Sequence, residues 1–365
     1  MSLLLLSLAL VTPLAGDNQS PPKSVKQALN YLRGAQRDDG HWPTKNVYYE
    51  SAVTSLAGLA FLSAGHVPGR GPEGAAITKA IRALLKNQRP DGIFAHRYAT
   101  WVMYQQGLAV LFLSEALAGA DENLAREVRP ALDKGVAAVL KAQSKAGGWH
   151  YTVEPKIEDV SVTSETLLAL KAADRAGIAV PREAVDKALA YVGNCRDKKS
   201  GGFAYRPGIS SPTWGNAAAA GMALALWVGP NDPALTPAMD FVLRNRRKGI
   251  VPYPSYTTRT VVQFTVQVGG EKADGIRTEM LADLAKKQRE DGSWPIDGTD
   301  ANYGQAYCTA EAVLALTADQ RRLRVFQAPK PKAEPGGARG RLHLAGRQQR
   351  GAARWRLSAC RTYRF

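Results

Sequence analysis

The stretch QRDDGHW, residues 36–42, packs a glutamine, two aspartates, a glycine and a tryptophan into seven positions. Alone it reads as an acidic turn closed by an aromatic, suited to a binding site. It is not alone. QRPDGIF begins at Gln88, QSKAGGW at Gln143 and QREDGSW at Gln288, all of the form Gln-x3-Gly-x-aromatic. CRDKKSGGF from Cys195 and NRRKGIV from Asn245 are weaker copies that keep the skeleton. The six copies start at 36, 88, 143, 195, 245 and 288, with steps of 52, 55, 52, 50 and 43 residues. Such a period marks a supersecondary unit that buries its apolar face only by stacking on its neighbours.

Each unit contains two helical patterns. The first ends at the motif, as in VKQALNYLRGAQ (25–36) or LDKGVAAVLKAQ (132–143), with apolar residues at helical spacing and basic residues on the other face. The second follows the motif, as in TSLAGLAFLSAG (54–65), SVTSETLLALKAA (161–173) or TAEAVLAL (309–316). These runs are apolar nearly all round and rich in small residues, which predicts buried, closely packed helices. Outer amphipathic helices alternating six times with inner apolar ones describe an all-α fold, an (α/α)6 toroid. An open superhelix of the same six pairs is the alternative. Within the motif, glycine supplies a positive-φ position as the chain leaves the helix, aspartate favours a turn, and the aromatic buries apolar area. The structural set is therefore Gln36, Gly40, Trp42, Gln88, Gly92, Phe94, Gln143, Gly147, Trp149, Gln288, Gly292 and Trp294.

The Gln-x3-Gly-x-Trp element between helix pairs resembles the repeat shared by squalene and oxidosqualene cyclases and by protein prenyltransferase β subunits. The resemblance covers nearly the whole chain before its C-terminal tail. It implies a toroid with a ligand site inside, and in that family the glutamine ties helix ends together. It also implies chemistry that can be looked for. The cyclases protonate an alkene or epoxide with an Asp in a D-x-D-D-T-A element entering an inner helix. The matching place here, QAYCTAEAVLAL (305–316), has Gln305, Ala306, Tyr307 and Cys308 before Thr309 and Ala310, and no carboxylate. Asp297 and Asp300 lie upstream, where helix capping or turn formation accounts for them. The prenyltransferases hold zinc with Asp, Cys and His. The nearest counterpart, Asp159-Val160-Ser161, has Ser in place of Cys, and the His is missing near Gln305. No metal and no cofactor is implied.

The chain has 365 residues, 45% of them hydrophobic, enough for one large core. Residues 3–10 form an apolar run far too short for a bilayer, which needs about 20 residues. The run suits a secretory signal over residues 1–16, so the protein is expected to be exported to the periplasm or the cell exterior. The toroid is expected over residues 17–327. Residues 328–365 read as a Pro/Gly linker and Arg-rich tail, disordered or a non-native extension such as a shifted reading frame. The formal charge of +16 is concentrated there. The last 30 residues hold eight Arg and no acid, leaving 40 basic residues against 32 acidic ones, or +8. That distribution argues against specific nucleic-acid binding by the folded part. The three cysteines, Cys195, Cys308 and Cys360, have no paired spacing.

In a toroid the N-termini of the inner helices surround one mouth, where their dipoles favour negative charge. The stretches 96–101, 157–164, 212–216, 255–259 and 302–308 are expected there. They offer Glu158 and Asp159 as catalytic carboxylates, with helix capping as the plain alternative. They also offer Tyr98, Trp101, Trp214, Tyr303 and Tyr307 as an aromatic wall for an apolar or isoprenoid-like ligand. A toroid binding protein, peptide or glycan without catalysis is the other reading.

Overall fold

The structure, a computed structural model, describes residues 22–154, 157–248 and 253–327. The apolar run at 3–10 and the Arg-rich stretch at 336–365, with the signal sequence and tail expected there, lie outside the described residues.

Among the described residues the chain forms twelve α-helices, α1 Lys23–Ala35, α2 Glu50–Ser63, α3 Gly71–Asn87, α4 Val102–Ala116, α5 Glu122–Lys141, α6 Val160–Arg175, α7 Arg182–Asn194, α8 Trp214–Trp227, α9 Leu235–Asn245, α10 Pro254–Val268, α11 Glu271–Lys286 and α12 Gln305–Leu316. A two-residue hairpin, Phe203–Ala204 with Pro212–Thr213, decorates the fourth repeat. The odd helices show one face to the core. In α1 the buried residues are Val25, Ala28, Leu29 and Leu32, at the 3- and 4-residue spacing of one helical stripe. The even helices bury almost everything, and in α2 every residue from Ser51 to Ser63 is inside.

The even helices pack in sequence, α2 on α4, α4 on α6, α6 on α8, α8 on α10 and α10 on α12, and then α12 packs back on α2. That last contact closes the ring and excludes the open superhelix. Close approach is built into the inner wall by small residues. A Cβ on Gly58 would sit 2.3 Å from the Phe112 ring, and one on Gly221 would sit 2.4 Å from Phe264.

The recurring motif makes the same joint four times. The Gln36 amide donates to Gly40 O at 3.0 Å and to Ala76 O, in the next outer helix, also at 3.0 Å. Gln88 does the same with Gly92 O and Ala131 O, and Gln143 with Gly147 O and Ala184 O. Gln288 completes the circle by donating to Gly292 O and to Ser24 O, 264 residues earlier. Each motif glycine has positive φ and presses its Cα on a backbone carbonyl of the following outer helix. At Gly292 φ is 87° and a Cβ would lie 2.4 Å from Gln27 O, so both backbone angle and space demand glycine. The tryptophans turn back on their own helix: Trp42, Trp149 and Trp294 donate Nε1–H to Leu32 O, Val139 O and Leu284 O. In Asp39, Asp91 and Asp291 the carboxylate accepts the backbone N–H two residues on, fixing the turn. The fifth copy is different. Among the described residues Asn245 bonds its own helix, through Phe241 O, and α9 is tied to α11 by Arg246 and Arg247, both paired with Glu279.

After α12, residues 317–326 run across the C-terminal ends of the inner helices. Arg322 and Arg321 donate to Ala64 O and Val266 O, Arg175 donates to Arg324 O at 2.8 Å, and the buried Glu115 takes the N–H groups of Arg324 and Val325. Val325 and Phe326 are buried there. Arginine at helix C-termini suits the negative end of the dipole.

Replacing Gln288 by Ala removes two hydrogen bonds to partly buried carbonyls. It should cost about 1–3 kcal/mol of unfolding free energy in urea titrations and speed amide exchange in α1. A wild-type stability with unchanged exchange would show that the last joint is not needed for closure.

Candidate functional site

A cavity of about 480 Å3 lies inside the ring, and its walls come from the first two turns of all six inner helices. The six N-termini therefore share one end. Several stretches expected to precede the inner helices belong to them instead. Val160–Ser164, Trp214–Asn216, Ser255–Arg259 and Gln305–Cys308 are all helical. Helical spacing then decides which of their side chains face inward.

Aromatic rings make the upper wall. Trp101, just before α4, meets Tyr49 at 5.8 Å between ring centroids, Tyr151 at 5.8 Å, Tyr253 at 5.8 Å and Tyr303 at 6.0 Å. Tyr303 in turn packs on Tyr307 at 4.7 Å. In the ring order α4 stands opposite α10, so the contact between Trp101 and Tyr253 spans the mouth. Tyr253 holds this place with φ of 54°, a left-handed conformation that bulky residues rarely adopt. The cavity wall on the other side is made by Pro212, Thr213, Trp214, Asn216, Phe241, Asn245 and Lys248. Trp101, Trp214, Tyr303 and Tyr307 thus line the cavity together. Tyr98 does not: it is 65% exposed and packs on Tyr48 and His96.

The floor is charged. Arg259 of α10 is 2% exposed and donates Nε–H to Glu311 of α12, Nη1–H to Gln263 Oε1 at 3.2 Å and Nη2–H to Glu165 Oε2 of α6 at 3.4 Å. Glu165 and Glu311 are 3% and 2% exposed. Burial pushes the Glu311 carboxyl up to about 7, against the pull of the Arg259 guanidinium. Sequence reading missed this cluster. Its signal was a lone charge in α10 and α12, and in α6 a glutamate among buried residues well before the charges of the last turns, where an unpaired charge would be costly.

Asp159 is the N-cap of α6 and stands behind the wall. Its Oδ1 accepts from Ser161 N, Val162 N and Ser161 Oγ–H, the last at 2.6 Å, and its Oδ2 accepts from Tyr205 Oη–H at 3.1 Å. Tyr104 donates to Ser161 Oγ, and Tyr151 meets Tyr205 Oη at 2.7 Å, so the network reaches the cavity through Ser161 and three tyrosines. His150 Nε2 is 3.8 Å from Asp159 Oδ2. Burial raises the Asp159 pKa, opposed by these hydrogen bonds. Glu158 is half-buried beside Gly148 and forms no part of the cavity wall. Asp300 caps another helix, accepting Ser255 N of α10 at 3.0 Å. Among the described residues no three His, Cys, Asp or Glu side chains gather as a metal site requires.

With this geometry in hand, comparison with known proteins places the fold. Type II terpene cyclase MstE from Scytonema superposes with a TM-score of 0.57 at 16% identity, over 82% of this chain and 98% of that one. A single-residue variant of that cyclase, solved with geranylgeranyl dihydroxybenzoate as substrate, gives 0.55 at 16% identity over 82% and 97%. The α-1,6-mannanase GH76A of Salegentibacter sp. HEL1_6, solved with α-1,6-mannotriose, gives 0.59 at 9% identity over 81% and 98%. Drimenyl diphosphate synthase of Streptomyces showdoensis is 31% identical over 192 residues, 52% of this chain and 33% of that protein, so the match spans about a third of the curated relative. No protein-family model matches. The chain has the α/α toroid fold of these proteins, and those solved with ligands hold geranylgeranyl dihydroxybenzoate in one case and α-1,6-mannotriose in another.

Folded Glu311 keeps its proton up to pH about 7, whereas the unfolded carboxyl loses it above 4.5. The folded state binds more protons in that window, so stability falls as pH rises through it, by about 3 kcal/mol from this group. Urea unfolding across the window should show the fall, and Glu311→Gln, which keeps an acceptor for Arg259, should flatten it. An unchanged slope would mean that Glu311 is ionised in the fold.

Proposed function

We propose that the protein binds an elongated, isoprenoid-like ligand in the toroid cavity and acts as a binding protein rather than a proton-initiated cyclase. The observation that carries this reading is the cavity's composition: rings of Tyr49, Trp101, Tyr104, Tyr151, Tyr253, Tyr303 and Tyr307 above, with Leu56 and Leu108 among the lower lining. Its volume lies in the ordinary range of small-molecule sites, about 300–1,000 Å3, and aromatic and aliphatic side chains line it above a charged floor. The likeness to drimenyl diphosphate synthase over 192 residues and to the MstE substrate complex supports an isoprenoid over a glycan.

Protonating an alkene needs a strong acid. The carboxyls lining the cavity are Glu165 and Glu311, both tied to Arg259, and Glu311 is pushed to about 7, which makes it a weaker acid than an ordinary glutamic acid. Around α6 the run 159–164 has Asp159 and Thr163 in the spacing of D-x-D-D-T-A, with Ser161 and Val162 at its other carboxylate positions. Glu158 and Asp159, the first candidates for catalysis, act in this reading as part of the scaffold behind Ser161. We further propose export, carried by the apolar run at residues 3–10.

Mass spectrometry of lipids extracted from purified protein should find isoprenoid-type molecules, reduced more than tenfold in Trp101→Ala. Incubation with squalene or geranylgeranyl diphosphate should yield no cyclised product. Tight binding of mannotriose with no retained lipid would replace this reading by the glycan one.

A further inference from the structure

The cavity lining holds buried polar atoms that find no partner among the described residues. Gln105, on the first turn of α4, is 1% exposed and lines the cavity, and neither its Nε2 nor its Oε1 has a hydrogen-bond partner among the described residues. Glu165, on the neighbouring helix α6, accepts from Arg259 through Oε2, while its buried Oε1 has no partner among the described residues. A buried amide and a buried carboxylate oxygen in this state carry a desolvation penalty that a ligand group can relieve.

The kind of group follows from what is missing. Gln105 Nε2 needs an acceptor, whereas Gln105 Oε1 and Glu165 Oε1 need donors. A hydroxyl supplies both at once. A hydrocarbon end supplies neither. Charge gives an anion little help: the floor sets one guanidinium against two carboxyls that both bond it. Three N–H directions of Arg259 are already taken by Glu311, Gln263 and Glu165. A phosphate lowered onto this floor would meet two carboxyls and a guanidinium already bonded to both of them.

We infer that the ligand enters with a neutral hydroxyl end first and seats it on Gln105 and Glu165, so that the class recognised is an isoprenoid alcohol rather than an isoprenoid diphosphate. This rests on the isoprenoid reading of the cavity. The aromatic rings then surround the chain, and the hydroxyl fixes its direction and depth.

Trp101 and Trp214 line the cavity and report binding through their fluorescence. Titration of the full chain with farnesol, farnesyl methyl ether, farnesene and farnesyl diphosphate should rank farnesol at least tenfold tighter than the other three. Gln105→Met, which keeps side-chain length without the amide, should bring farnesol within about threefold of its ether and leave farnesene unweakened. Gln105→Leu serves as a second variant, with circular dichroism confirming the helices, and the wild-type ranking decides if neither variant folds. Diphosphate binding as tight as farnesol, or selectivity that survives in Gln105→Met, overturns the inference. Equal binding of all four probes overturns it while leaving the isoprenoid reading intact, and no binding of any probe removes both.

Discussion

One side-chain amide with two carbonyl acceptors recurs around this molecule and everything else is arranged on it. A helix end leaves carbonyls without intrahelical partners, and the loop after it has more. The motif glutamine satisfies one in its own turn and one in the next outer helix with the same NH2 group. Its two hydrogens point in fixed directions, so the amide sets distance and angle between successive units together. Glycine four residues on lets the backbones touch, and the aromatic two residues further fills the space beneath. The fourth and fifth joints lack the glutamine and rely on other contacts, Gly201 against Pro237 O in one and the Glu279 ion pairs in the other.

The joints face outward and leave the inner ring free to differ. The N-terminal turns of the inner helices carry aromatic residues near the mouth and the Glu165–Arg259–Glu311 cluster below. Buried ion pairs of this sort add little stability over well-packed apolar residues. What they do contribute is the polarity of the floor.

The fold was legible because its determinants are local. Gln36, Gly40 and Trp42 lie within seven residues, and a pattern that short survives six copies well enough to be counted. The floor was not legible, because Glu165, Arg259 and Glu311 are separated by 94 and 52 residues and meet only after the ring closes. Trp101 and Tyr303 could be placed at the mouth from their position before an inner helix. Arg259 and Tyr307 were placed on the approach to a helix, yet they sit inside it, since Pro254 and Gly304 start α10 and α12 earlier than the apolar pattern suggests. Asp159 shows the limit of reading carboxylates from sequence. A capping aspartate and a catalytic one occupy the same position in the chain, and only its four hydrogen-bond donors reveal the cap.

The bond from Gln288 to Ser24 O has a bearing on how the chain reaches this state. In a linear solenoid each unit can settle on the one before it, and order spreads along the chain as it is made. Here the seat for the last joint is the first helix, which emerges from the ribosome some 264 residues ahead of its partner. Until then α1 and α2 present to water the faces that α12 will cover. The entropy of closing so long a loop grows only slowly with its length, but it must be met before the closing contacts form. A closed toroid of this kind is therefore committed to a late, concerted finish, with its apolar inner wall at risk for the whole time of synthesis.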